Sequence, residues 1–451
     1  MNKIITGFIM AAVVAVLLAG CIGSGGSSAS PPNDVTVVAK DSRAVLTWTM
    51  APGVDYWIFR AAGSGVTPEN CSSMAECGTS VKATSPATVW GLSNGKSYSF
   101  SINGRSGGGP GGAGSVAEYA TPGLAGKTWN VGTAAGTSDL RGVAYGASGT
   151  KFVAVGMGGA LFSGTVSTSA STGMGEVAWT SMTNPVTGTD FNAVNYDTYR
   201  AKFYSVGTGG VVIQNIPASS TEWTQLTSTN NTTEALYAIA SDGAGNLVAT
   251  GASGRIIYSS DGTAWTKIAF GTSALYGVAY GNSTTNGYVF VAVGAGGKIL
   301  WSDDKGATWT DVTAASVTSE DLKAVTYGGI NSASSSTTSV GVFVAVGANG
   351  TVLTSVDGVT WTRQTGTSIP STTNLNGIAL SASKRFVAVA DDGNVFYSGF
   401  SVTNAESATG MVWSSATQAT TSPLYAVTTG GLNDYCSVGN GGSNLYADLA
   451  D

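Results

Sequence analysis

No histidine occurs among the 451 residues. That removes Ser-His-Asp and Cys-His nucleophile pairs, imidazole-ligated metals and Cys-x-x-Cys-His haem attachment together, since each needs an imidazole to move a proton or hold an ion. Carboxylates remain, and a pair of them suffices for glycoside hydrolysis. The most regularly spaced acidic residues stand in Ser302-x-Asp304-x-Gly306-x-x-Trp309 and in the one-residue-shorter Ser259-x-Asp261-Gly262-x-x-Trp265 and Ser355-x-Asp357-Gly358-x-x-Trp361. With glycine and tryptophan at fixed offsets, Asp261, Asp304 and Asp357 read as turn carboxylates that accept backbone N–H groups, the indole packing between neighbouring units. Asp391-Asp392 is the one acidic pair in a glycine turn of the repeat, and it reads as a solvated turn rather than a calcium or catalytic site. No metal and no cofactor is expected.

These turns belong to a unit that recurs along the last three quarters of the chain, most clearly over 288–309. Each copy opens with Leu-x-Gly/Ala-Val/Ile-Ala, passes through Phe-Val-Ala-Val-Gly-x-Gly-Gly and closes on Trp followed by Thr or Ser. A fixed period with several short apolar runs per unit is the mark of propeller blades. The Val-Gly positions are Gly156, Gly207, Gly251, Gly294, Gly347 and Gly439, with Ala390 in place of glycine, which makes seven units. Closing tryptophans are Trp179, Trp223, Trp265, Trp309, Trp361 and Trp413; Trp129, ahead of the first full unit, supplies the missing one, so a strand from the front of the repeat region closes the last blade. In every unit one residue follows the opening Leu or Phe: Arg141, Asn192, Tyr237, Tyr276, Lys323, Asn376 and Tyr425. If the opening run is the innermost strand, these seven ring the mouth of the central channel, on the face that carries the Gly-x-Gly-Gly turns. The Ser/Thr-rich stretches 163–177, 328–341 and 398–412 then emerge as loops on the opposite face. Tyrosines, asparagines and two cations form a mixture suited to recognition, although tyrosines at strand starts also serve simply to cap a core.

On these motifs the region 127–451 resembles the Asp-box, or bacterial neuraminidase repeat, propellers, and especially the non-enzymatic seven-bladed propellers similar to photosystem II assembly factors. The resemblance implies an all-β fold and a scaffold that hosts glycosidases, receptors and assembly factors alike. Sialidases of similar repeat architecture hold a substrate carboxylate with three convergent arginines. Here strand direction sets Arg200 and Arg385 on the face opposite Arg141 and leaves Arg255 and Arg363 on outer strands, so convergence is not expected.

Ahead of the repeats, Lys3, an apolar run to Leu17 and Leu18-Ala19-Gly20-Cys21 form a leader ending in a lipobox, with residues 1–20 as the signal peptide. Resemblance to bacterial lipoproteins implies diacylglycerol on the Cys21 thiol and acylation of its amino group. Ile22 stands where an Asp holds many such proteins at the inner membrane, which implies the outer membrane of a Gram-negative source. Residues 21–33, rich in Gly and Ser, are expected to form a flexible tether that keeps the folded parts off the bilayer. Over 34–122, Leu46-Thr47-Trp48, Tyr56-x-Ile58 and Leu92-x-x-Gly95-x-x-Tyr98-x-Phe100-x-Ile102 match a sandwich with a tyrosine corner, and the segment resembles a fibronectin type III domain. Trp57, Phe59 and Trp90 fall at outward positions. A disulfide is the favoured reading of Cys71 and Cys77, with a metal pair as the alternative; Cys436 stands where other units place Val and reads as a buried thiol.

Charged residues make up 10% of the chain, the net charge is −6 and no basic patch appears, so nucleic acid is not an expected partner. The expectation is a non-catalytic, lipid-anchored surface protein whose fibronectin-like module spaces a propeller that binds a protein or glycan. The rival is a polysaccharide-acting glycoside hydrolase of Asp-box propeller type.

Overall fold

The computed structural model describes residues 26–40, 42–123, 126–146, 151–168, 175–215, 222–227, 232–313, 316–332, 335–381, 384–399, 401–402, 410–430 and 434–447. The leader and Cys21 lie outside the described residues. Apart from short 3₁₀ turns the regular structure is all β, and the chain divides into two compact units that part at residues 124 and 125.

The first unit is built from β1 (Ser27–Ala29), β2 (Thr36–Lys40), β3 (Arg43–Thr47), β4 (Val54–Ala62), β5 (Gly78–Ala83), β6 (Ala87–Trp90), β7 (Tyr98–Ser106) and β8 (Glu118–Ala120). One sheet runs β2-β3-β6; in the other β5, β4 and β7 are neighbours, and both β8 and β1 pair with β7. Alternate residues point inward, so Leu46 and Trp48 meet Tyr56, Ile58, Phe100 and Ile102 in one core. Tyr98 Oη accepts the Ser93 backbone N–H at 3.0 Å, tying the turn before β7 to its first residue. The outward aromatics meet different fates. Phe59 is buried in a second small core with Ala61, Val66 and Cys71, Trp57 lies under the Arg105 guanidinium at 3.5 Å, and Trp90 stays 58% exposed beside Arg43. Cys71 and Cys77 are joined as a disulfide.

Ser27–Ala29 fall within the stretch expected to be a flexible tether, and they form a strand instead. The reason is an edge left open: β8 pairs only with Tyr98–Phe100 of β7, and β1 takes up Gly104, Arg105 and Ser106 on that strand. Glycines make the approach sterically feasible. A Cβ on Gly109 would stand 2.3 Å from both the Gly26 carbonyl carbon and the Ser27 nitrogen, so the glycine run after β7 closes over the incoming chain at backbone contact.

In the second unit seven sheets can be traced among the described residues. Their first strands are Leu140–Gly146, Phe191–Asp197, Leu236–Ser241, Leu275–Ser283, Leu322–Ser332, Leu375–Leu380 and Leu424–Thr429. Each of these packs on the first strand of the next sheet, and the last packs on the first, closing a ring. The final sheet takes its outer strand from Asn130–Val131, with Tyr446 opposite Asn130 and Leu445 opposite Val131, the closure expected from Trp129. Cross-strand Tyr–Phe pairs recur at one register: Tyr145–Phe152, Tyr196–Phe203, Tyr280–Phe290 and Tyr327–Phe343, with ring centroids 4.7–5.1 Å apart. Apolar clusters lie between sheets, each joining a closing tryptophan to the preceding sheet: Trp309 meets Val248 and Ile256, and Trp361 meets Val289 and Val291. The stretch 328–341 is not the loop expected from its Ser/Thr content. It extends the fifth sheet's first hairpin, with Gly328 opposite Val342 and Asn331 opposite Ser339, so the backbone pairing of the strands continues through the serine-rich residues. Likewise 163–168 pair with 175–180 as antiparallel strands, and Ser401–Val402 runs parallel to Asn331–Ser332.

Candidate functional site

The ring is tight where its first strands meet. A Cβ on Gly142 would stand 2.9 Å from Ala193 Cα, and one on Gly277 or Gly377 would come within 3.1 Å of the neighbouring sheet's backbone, so each of these glycines gives room to the alanine at the same position of the next sheet. The Val-Gly glycines answer a similar demand. Their φ is extended, but the carbonyl before the opening residue presses on them, Asp139 O lying 1.9 Å from where a Cβ on Gly156 would sit. Only the following Gly-Gly turn needs a left-handed conformation, with Gly158 at φ 65° and Gly159 at φ 79°.

This packing brings the seven predicted residues together. Arg141, Asn192, Tyr237, Tyr276, Lys323, Asn376 and Tyr425 line one cavity of about 210 Å³ on the ring axis, with the small residue after each and the Val or Ile beyond it. All seven are half-buried. They also touch across sheets. Arg141 Nη1 donates to Asn192 Oδ1 at 2.9 Å; Asn192 Nδ2 donates to Leu236 O at 2.8 Å; Asn376 Nδ2 donates to Leu424 O at 2.9 Å. Tyr237 and Tyr276 lie 5.7 Å apart ring to ring, and Lys323 Nζ stands 4.1 Å from the Tyr276 ring centroid.

One set of contributors was not singled out from the sequence: the Asp or Asn just before the opening residue. Asp190 Oδ1 accepts the Gly158 amide, Asp321 the Gly296 amide, Asn374 the Asn349 amide and Asp139 the Gly441 amide, at 2.8–3.2 Å, so each fastens the glycine turn of the preceding sheet. Two of them also face the ring's cations, Asp321 at 2.9 Å from Lys323 Nζ and Asp190 at 4.0 Å from Arg141 Nη1. The Lys323 ammonium and the Gly296 amide hold the Asp321 carboxyl below the ordinary carboxylate range. The signal was present as Asp-Leu, Asp-Phe and Asn-Leu at the opening of four units.

The other acidic candidates are engaged in turns. Asp261 Oδ1 accepts the Thr263 and Ala264 amides at 2.7 Å each, which bring its pKa down to about 2. Asp357 accepts Val359 and Thr360, and Asp304 accepts Thr308; in both, burial pushes the carboxyl up but the hydrogen bonds outweigh it and the net shift is downward. Asp391 takes the Asn374 side-chain amide and Asp392 the Asn394 backbone amide. The arginines are dispersed. Arg200 bonds Asp197, Gly245 O and Ser260 O, Arg255 pairs with Glu234, and the buried Arg385 bonds Ser398 O. Among the described residues no group of three His, Cys, Asp or Glu converges as a metal cluster would. Cys436 is fully buried, and burial drives its thiol pKa upward.

A ring of radial antiparallel sheets around an axial cavity defines a β-propeller. Solved structures similar to this chain include YCF48 bound to a D1 peptide (14% identity, TM-score 0.53, covering 74% of this chain and 98% of that one), YCF48 from Cyanidioschyzon merolae (12%, 0.50, 72% and 99%) and the WD40 β-propeller domain of Doa1 (11%, 0.51, 72% and 97%). At these identities the likeness shows the fold alone. No protein-family model matches the chain, and no curated protein matches it in sequence.

Proposed function

We propose that this chain is a non-catalytic, lipid-anchored cell-envelope protein whose propeller, read as seven-bladed, binds a protein partner at the channel mouth. The observation that carries the reading is the convergence of Arg141, Asn192, Tyr237, Tyr276, Lys323, Asn376 and Tyr425 on one axial cavity. Aromatic faces, amide groups and two half-shielded cations in a concave site suit recognition, and the residues that line it include no carboxylate to pair with its tyrosines or lysine. The peptide-bound state of YCF48 favours a protein over a glycan as partner. Cys21 is the proposed lipid site, the outer membrane the proposed location, and the fibronectin type III-like sandwich a spacer. The Ser-x-Asp turns are proposed as Asp-boxes whose carboxylates serve the turn alone. The hydrolase reading finds no support in the arginines: Arg200, Arg255 and Arg385 are engaged with partners of their own, and of the arginines only Arg141 lines the axial cavity.

Photo-crosslinking in intact cells tests the proposal. A benzophenone amino acid at Tyr237 should yield an adduct with a discrete protein, whereas one at Tyr199, 66% exposed just past Asp197 at the end of the second sheet's first strand away from Asn192, should not. An adduct from Tyr199 with none from Tyr237 would overturn it.

A further inference from the structure

The strand Ser27–Ala29 changes what an anchor at Cys21 implies. We infer that the end of the sandwich formed by residues 50–53 and the glycine run after Ser106 rests on the surface of the bilayer that holds the lipid. The inference deepens the anchoring proposal and rests on lipidation of Cys21. Only residues 22–25 separate Cys21 from Gly26. Gly26 is already fixed against the backbone of Gly107 and Gly109, and Ser27 pairs with Ser106. Five Cα-to-Cα steps of at most ~3.5 Å reach about 17 Å, and the headgroup layer takes up roughly 5–7 Å of that. The Ser106 end of β7 is therefore held within a short distance of the headgroups.

The surface presented there fits a lipid interface. Met50 is 41% exposed, Ala51, Pro52 and Gly53 are exposed beside it, and they share a cleft of about 580 Å³ with Gly107 and Gly108. Asp55 is the one charged residue lining that cleft, and Lys82 lies 3.7 Å from it. Residues 50–53 and the two glycines carry no charge and Asp55 stands beside Lys82, so this tip escapes much of the repulsion from anionic lipid that a chain of net charge −6 would otherwise meet. Because charge contributes little, the contact should form on zwitterionic phosphatidylcholine and persist at high salt. The chain leaves the sandwich at the opposite end, where the Gly95 amide bonds Pro122 O at 2.7 Å, and the nine residues of β7 put roughly 27 Å between the two ends.

The test uses full-length protein, purified from membranes and reconstituted into phosphatidylcholine vesicles, with a fluorophore on Ala51→Cys or on Ser93→Cys at the far end. Native cysteines do not compete: Cys71 and Cys77 are bonded to each other, Cys436 is buried, and lipid occupies Cys21 in the reading tested. Flotation reports anchoring, and quenching by headgroup spin-labelled lipid reports contact. The label at position 51 should be quenched several-fold more strongly than the one at 93, equally at low and high salt. Equal quenching on floating vesicles would overturn the contact while leaving the anchor intact. Failure to float, or flotation of a Cys21→Ala variant, would remove the lipidation on which the inference rests and overturn both.

Discussion

Asp261 illustrates how the carboxylates of this chain are spent. Its oxygens take two backbone amides and the Ser259 hydroxyl, while Ser259 Oγ in turn accepts the Gly262 amide at 2.8 Å, so the turn is held by charge-assisted bonds. The folded-state pKa of about 2 lies below the ordinary 3.8, so its contribution is complete above about pH 4 and is lost as pH falls through the folded value. Asp261→Asn should therefore lower the melting temperature at neutral pH, with the gap to wild type closing between about pH 4 and 2. A gap that is the same at every pH would show that the charge is irrelevant to the turn. The turn role of this residue was legible from Ser-x-Asp-Gly spacing, because local hydrogen bonding depends on offsets within one chain segment. The partners of Asp190 and Asp321 were not legible: each captures an amide in another sheet, and nothing in the local sequence states which loop will arrive there.

Strands and loops divide along the same line. Repeats made the first strands and their register readable, and register alone placed the seven ring residues on one cavity. β1 was unreadable, since Ser-Ser-Ala carries no apolar alternation and its pairing is a matter of backbone groups and of glycines that permit close approach. Ring closure was readable from a single aromatic. Trp129 is 5% exposed, donates Nε1–H to Gly126 O at 2.9 Å and lies 6.0 Å from the Tyr435 ring; Trp309 and Trp361 make the same bond to Gly306 O and Gly358 O. Trp129→Ala should cost about 3–5 kcal/mol, the usual loss for a large core aromatic, measured by denaturant unfolding of the second unit. An unchanged midpoint would mean that the closure of the last sheet does not depend on this strand.

Two proposals concern the molecule as a whole: a sandwich held close to the membrane by its own first strand, and a propeller that binds its partner at the axial mouth. Only the second bears on what the protein does. The mouth is built from side chains that brace one another across sheets, so removing the aromatic pair Tyr237 and Tyr276 should empty its centre without touching the inter-sheet cores around Trp265 and Trp309. With the partner identified by crosslinking, the decisive measurement is its dissociation constant for wild type and for the Tyr237→Ala/Tyr276→Ala double variant, alongside thermal melts of both. The double variant should lose at least about thirtyfold in affinity, the ~2 kcal/mol expected of a recognition hot spot, with the melting temperature unchanged. An unaltered dissociation constant in a folded double variant would contradict binding at the mouth.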